Sequence, residues 1–101
     1  MRYNGGMSGY IHSVDKNQRA VINELKQMGI VVCDVSSARS AGLDIICSMH
    51  SRPINLLVEI KSKGRAGDLR HSEMRMSDNW PGPWIVVETA EAVVEWFEKH
   101  C

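Results

Sequence analysis

A chain of 101 residues with twelve acidic and twelve basic side chains has the length of one domain and no overall positive field. That excludes general adhesion to polyanions, so nucleic-acid contact would have to come from local patches. Its three cysteines, Cys33, Cys47 and Cys101, are an odd number with no paired spacing, which suits small apolar thiols in a reducing compartment better than a disulfide frame.

Residues 1–13 hold three glycines among small polar residues and no apolar signal-peptide core, and they read as a flexible arm ahead of one folded domain over 14–101. No later run is long and uncharged enough to span a bilayer, so a cytoplasmic protein without a membrane partner is expected. From Asp15 the pattern turns helical, with Val21, Ile22, Leu25 and Met28 on one face and Gly29 as the stop. Gln18 shares that apolar face, either as the partner of an Asp15 N-cap in a capping box or as an inward polar group of a site.

Ile30–Val35 is a β-branched run and the first predicted strand, and Ser36–Gly42 is a small-residue loop whose one charge is Arg39. Arg39 suits a solvated loop or a phosphate contact. Leu43–Met49 and Ile54–Ile60 then read as a hairpin closed by the turn His50–Pro53. The stretch 62–68 is glycine-punctuated and basic, and Leu69, Glu73, Met76 and Trp80 recur at helical spacing before Pro81. Trp84–Glu88 is a short strand, and Thr89 caps a last helix in which Ala92, Val93, Trp96, Phe97 and His100 share a face. The three tryptophans and Phe97 read as core. The predicted order is α-β-β-β-α-β-α, an α/β domain with a mixed four-stranded sheet flanked by helices.

Three charges stand in the hairpin strands, which otherwise look built for burial: Asp44, Glu59 and Lys61. With the turn at 50–53, Asp44 falls opposite Glu59, and period-two alternation sends Lys61 out on the face of Glu59. Two carboxylates and an ammonium then converge at one end of the hairpin. Oxygen donors suit a hard divalent cation, Mg²⁺ being commonly held by one or two carboxylates, waters and substrate phosphate oxygens. The pattern fits metal-dependent phosphodiester cleavage. Taken alone, an E-x-K triplet at a strand end is usually a pair of solvent-facing charges.

The order of elements adds to the triplet. An aspartate opening the second strand in G-L-D-I-I (42–46), V-E-I-K (58–61) closing the third, and the leading helix D-K-N-Q-R-A-V-I-N-E-L-K-Q-M-G (15–29) together resemble the PD-(D/E)XK nuclease superfamily. With Leu69 through Trp80 and P-W-I-V-V after them, they look like the small stand-alone phage and mobile-element nucleases related to the VRR-NUC group. The resemblance covers residues 15–97 and implies a restriction-endonuclease-like fold hydrolysing phosphodiesters in DNA with Mg²⁺ or Mn²⁺, branched junctions included, in a bacterial or phage-infected cell.

By that resemblance Asp44 and Glu59 would be metal ligands and the Ile60 carbonyl a further one. Lys61 would be the catalytic lysine, with Gln18 bordering the site. Arg39, Lys63, Arg65, Arg70 and Arg75 are the candidate DNA contacts. The chain departs from the pattern at Leu43, where proline is frequent, at Glu73, where relatives often carry glutamine, and at Gln18, where some carry glutamate. A homodimer is expected from the small core and from the need for two sites if both strands are cut. The alternatives are a non-catalytic nucleic-acid-binding module on the same scaffold and a small interaction protein.

Overall fold

The structure, a computed structural model, describes residues 9–37 and 42–100, the side chains of 9–15 apart. Its elements are α1 (Gly9–Gln27), β1 (Val31–Asp34), β2 (Ile45–Met49), β3 (Arg52–Ile60), α2 (His71–Asn79), β4 (Trp84–Val87) and α3 (Ala90–His100). The sheet runs β1-β2-β3-β4, antiparallel between β1 and β2 and between β2 and β3, and parallel between β3 and β4. Order and mixed pairing are those expected from the sequence. None of the helices is long and apolar enough to cross a membrane among the described residues.

Helical spacing puts Gln18, Val21, Ile22 and Leu25 of α1 on one stripe, and all four are buried. The helix closes as a Schellman motif: Gly29 takes a φ of +83°, its N–H donates to the Lys26 carbonyl at 3.0 Å, and the Ile30 N–H donates to the Leu25 carbonyl at 3.0 Å. Two expectations change here. Among the described residues the helix already runs from Gly9, ahead of the expected Asp15, because nothing over 9–13 breaks a helix that gains one hydrogen bond per residue added. Asp15 is therefore interior to the helix, and the capping-box role proposed with Gln18 falls away. Met28, placed on the apolar stripe by its spacing, follows the last helical residue and is 44 % exposed.

The hairpin turns more tightly than the sequence suggested. Met49 pairs with Arg52, leaving only His50 and Ser51 at the turn, and the register then shifts before Cys47 meets Leu56. Two extra residues of β3 are absorbed in that bulge next to Pro53, which has no N–H for a ladder. Beyond the bulge the pairing is the expected one, Cys47 with Leu56, Ile46 with Leu57 and Ile45 with Val58. One step further, Asp44 stands level with Glu59.

Alternation along the strands sorts the sheet into two faces. Ile45, Cys47, Leu56, Val58, Ile60 and Val87 form the core with Val21 and Leu25 of α1 and Val93 and Phe97 of α3. Thr89 opens α3 as expected, its hydroxyl oxygen accepting the Ala92 N–H at 3.2 Å. Of the aromatic side chains read as core, Phe97 alone is fully buried. Trp84 and Trp96 are half-buried and Trp80 is 46 % exposed. Trp80 leaves the stripe because α2 ends at Asn79 and Trp80 itself is extended. Cys33 is likewise exposed on the edge strand β1, whereas Cys47 lies in the core and burial pushes its thiol up to about 12.

The second face carries Glu59 and is covered by α2 and the segment entering β2. Trp84 Nε1–H donates to the Gly42 carbonyl at 3.0 Å, which ties that segment to β4. A Cβ at Gly42 would lie 2.8 Å from the Ser72 carbonyl oxygen of α2, so the backbone just before Asp44 rests directly on α2.

Candidate active site

Backbone pairing fixes Asp44 between two strands before its side chain does anything. Its carbonyl accepts the Val35 N–H at 2.9 Å and its own N–H donates to Val58 at 2.8 Å. The carboxylate then accepts the Ile60 N–H at 2.7 Å. In an extended strand the N–H and C=O of one residue leave on the same edge, so the Ile60 carbonyl also faces the Asp44 side. Lys61 is fixed from the other edge, its N–H donating to Val87 at 2.8 Å.

The Lys61 ammonium lies 3.7 Å from Glu59 Oε2 and 2.9 Å from Glu73 Oε1. Glu73 Oε1 also accepts the Arg70 N–H at 2.8 Å, which holds the acid at the start of α2. Glu73 is 3 % exposed and Glu59 7 %. The sequence left the role of Glu73 open, and the structure makes it the nearer anion of Lys61.

Crowding sets the protonation of this group. Burial, a hydrogen bond to Glu73 and the charges of Asp44 and Glu73 push the Glu59 carboxyl up to about 8. Burial also raises Asp44, against the Ile60 N–H that favours its charged form. Glu73 goes the other way: burial would raise it, but the bond donated by protonated Glu59, the Arg70 N–H and Lys61 together hold it below its ordinary value. Three carboxylates thus face one ammonium, and with all three ionised two negative charges stay uncompensated.

A stability prediction follows from Glu59. Its folded pKa is raised, so the folded state binds more protons than the unfolded chain between about 4.5 and about 8. The associated stability is fully present below pH 4.5 and is lost as pH rises through 8, a fall on the order of a few kcal/mol. Thermal melts in chelator should therefore show the midpoint dropping across that window, and Glu59→Gln should flatten the drop.

Gln18 is 7 % exposed on α1, and among the described residues its amide has no hydrogen-bond partner. Its neighbour Asn17 anchors this part of α1 to the site, Nδ2 donating to the Lys61 carbonyl at 2.6 Å and reaching the Glu88 carbonyl at 3.5 Å. Lys63, Arg65, Arg70 and Arg75 are all exposed. Arg65 pairs with Asp68 within its own loop, and the Arg75 carbonyl accepts Asn79 Nδ2 at 2.9 Å. Arg39 lies outside the described residues.

Sequence reasoning missed Asn17 and Glu88. The Glu88 carboxylate accepts the Gly64 N–H at 2.9 Å and the Ala66 N–H at 3.1 Å, bracing the basic loop. Its signal was available in outline, since a charge ending W-I-V-V-E repeats the way Glu59 and Lys61 end β3.

Among the described residues no group of three or more His, Cys, Asp or Glu side chains is placed to hold a metal ion. The oxygen donors here are fewer, Asp44 and Glu59, with the Ile60 carbonyl on the same edge of β3 as the Ile60 N–H that meets Asp44. That set fits a cation that keeps most of its waters, as Mg²⁺ does. Comparison with protein-family models, with curated proteins and with solved structures finds no match to this chain.

Proposed function

We propose that the chain is a metal-dependent deoxyribonuclease of the PD-(D/E)XK type that hydrolyses phosphodiester bonds in DNA. The observation that carries this reading is the crowded acid pair. Asp44 and Glu59 crowd together on one sheet face, and the ammonium beside them is closer to Glu73 than to Glu59. Crowded carboxylates without a counterion are costly as structure and useful as a cation site.

In this reading Asp44, Glu59 and the Ile60 carbonyl would hold Mg²⁺ or Mn²⁺, which when bound polarises a phosphodiester and lowers the pKa of a coordinated water. The chain's own groups supply the rest. Lys61 offsets charge developing on the phosphoryl oxygens, worth roughly 10²–10³ in rate for a preorganised donor. Glu73 positions that ammonium, and its hold through the Arg70 N–H keeps the lysine from folding onto Glu59. Gln18, buried on α1, would border the site from the helix side in this reading. Lys63, Arg65, Arg70, Arg75 and Arg39 track phosphates and position the duplex without reading its sequence.

A two-fold pair of chains would present two such sites to a duplex or a four-way junction. A monomer mass by light scattering, with and without DNA, would remove that part of the proposal. The function itself is tested with labelled duplex, flap, single-stranded and four-way-junction DNA, each incubated with Mg²⁺, with Mn²⁺ and with chelator. Cleavage that needs the cation is expected on at least one substrate. Salt-dependent binding without cleavage would favour the binding module instead, and no binding at all would favour an interaction protein.

A further inference from the structure

We propose that Glu88 is a positioning residue for nucleic-acid binding: its carboxylate holds the basic loop 62–68 in one backbone conformation, so that Lys63 and Arg65 meet phosphate already ordered. The proposal rests on the nuclease reading above and concerns how that protein binds its substrate.

The register of the parallel pair places the residue. Ile60 pairs with Val87, so one step on Glu88 is level with Lys61, and alternation gives it the face of Glu59 and Lys61. Both of its oxygens are used within the chain, one by the Gly64 N–H at 2.9 Å and one by the Ala66 N–H at 3.1 Å. The loop is thereby pinned on either side of Arg65 and immediately after Lys63. At its base, the Lys61 and Glu88 carbonyls share the amide of Asn17, at 2.6 and 3.5 Å. Within the loop the Arg65 N–H donates to Ser62 at 2.9 Å and the Asp68 N–H to Arg65 at 3.0 Å. The cations themselves stay exposed. A charged acceptor on two N–H groups is among the stronger bonds available to a surface loop.

An acid beside a phosphate path repels DNA, so deleting its charge should tighten binding if charge were its whole effect. Releasing the loop should do the opposite, because the cost of ordering it then falls on the binding step. The sign of the change separates the two effects.

The test uses the full chain with Glu88→Gln and Glu88→Ala, each checked for folding by circular dichroism. Amide hydrogen exchange at Gly64 and Ala66 reads the clamp without DNA. Equilibrium binding to duplex and four-way-junction DNA in chelator reads the consequence. Expected are faster exchange at one of the two amides in Glu88→Gln and at both in Glu88→Ala. Affinity should fall, by about tenfold in Glu88→Ala, with an unchanged salt slope because every cation that meets phosphate is still present. The cleavage rate at saturating DNA should hold while KM rises.

Unchanged or tighter DNA binding with the amides released would overturn the positioning role, and unchanged exchange would overturn the clamp. If the wild-type chain binds none of these DNAs, the nuclease reading fails and takes this role with it. That failure is distinct, since it shows in the wild type before any variant is compared.

Discussion

Asp44→Asn is expected to lower DNA cleavage by about a thousandfold or more while leaving DNA affinity unchanged or raised. The carboxylate is both the proposed cation ligand and a negative charge close to phosphate, so its loss removes turnover and relieves repulsion at once. Asparagine retains an oxygen that can accept the Ile60 N–H now bound at 2.7 Å, which keeps the strand ends in place. Lys61→Ala should also lower turnover, by roughly 10²–10³. Lys63→Ala and Arg65→Ala should behave differently, each weakening binding and lowering the log–log salt slope by about one, the share of a single cation that neutralises one phosphate.

Metal-free stability distinguishes this from a structural ion pair. Burial already raises Asp44, so Asp44→Asn should be neutral or stabilising in chelator. Were Asp44 a structural partner of Lys61, the same change would be destabilising. Gel assays under single-turnover conditions, filter binding and thermal melts on folded protein read the three quantities separately. Wild-type cleavage by both Asp44→Asn and Lys61→Ala would mean that the assignment at this site is wrong.

Gly42→Ala should destabilise the fold by about 2–4 kcal/mol, the left-handed backbone and the overpacked contact each contributing. Gly42 has a φ of +73°, and an added Cβ would meet the Ser72 carbonyl oxygen and Met76 Cγ, each at 2.8 Å. The Ser72 contact is helix backbone and cannot swing aside. Either α2 moves off the sheet or the segment before Asp44 does. Both movements disturb the site, the first through Glu73 on Lys61 and the second through Asp44 itself. Urea unfolding should show the midpoint falling with little change in slope.

The core of the site could be read from the sequence because it depends on two local rules, strand alternation and the offset of a short hairpin. Those rules put Asp44 level with Glu59 even though the turn is shorter than expected, since the bulge near Pro53 restores the count before Cys47 pairs with Leu56. The contact of Glu73 with Lys61 depends instead on the path of residues 62–70, where no periodicity constrains the chain. The clamp by Glu88 and the anchor by Asn17 are side-chain bonds to backbone 22 to 71 residues away, and local propensity does not reveal those partners, although the charge ending W-I-V-V-E marks Glu88 itself. Trp80 departs from its expected place for a smaller reason, a helix ending one residue before it. The overall α-β-β-β-α-β-α order is insensitive to all of these because each element is separately marked by its period and its caps.

Paramagnetic Mn²⁺ titrated into ¹⁵N-labelled protein, with wild type and Asp44→Asn compared, tests the proposed cation site most directly. In the wild type the amide signals of Asp44, Glu59, Ile60 and Lys61 should broaden first and together, and Asp44→Asn should shift that broadening to much higher Mn²⁺ concentrations. Broadening that begins at other carboxylates, such as Asp34 or Asp78, or that is the same in both proteins, would contradict the account.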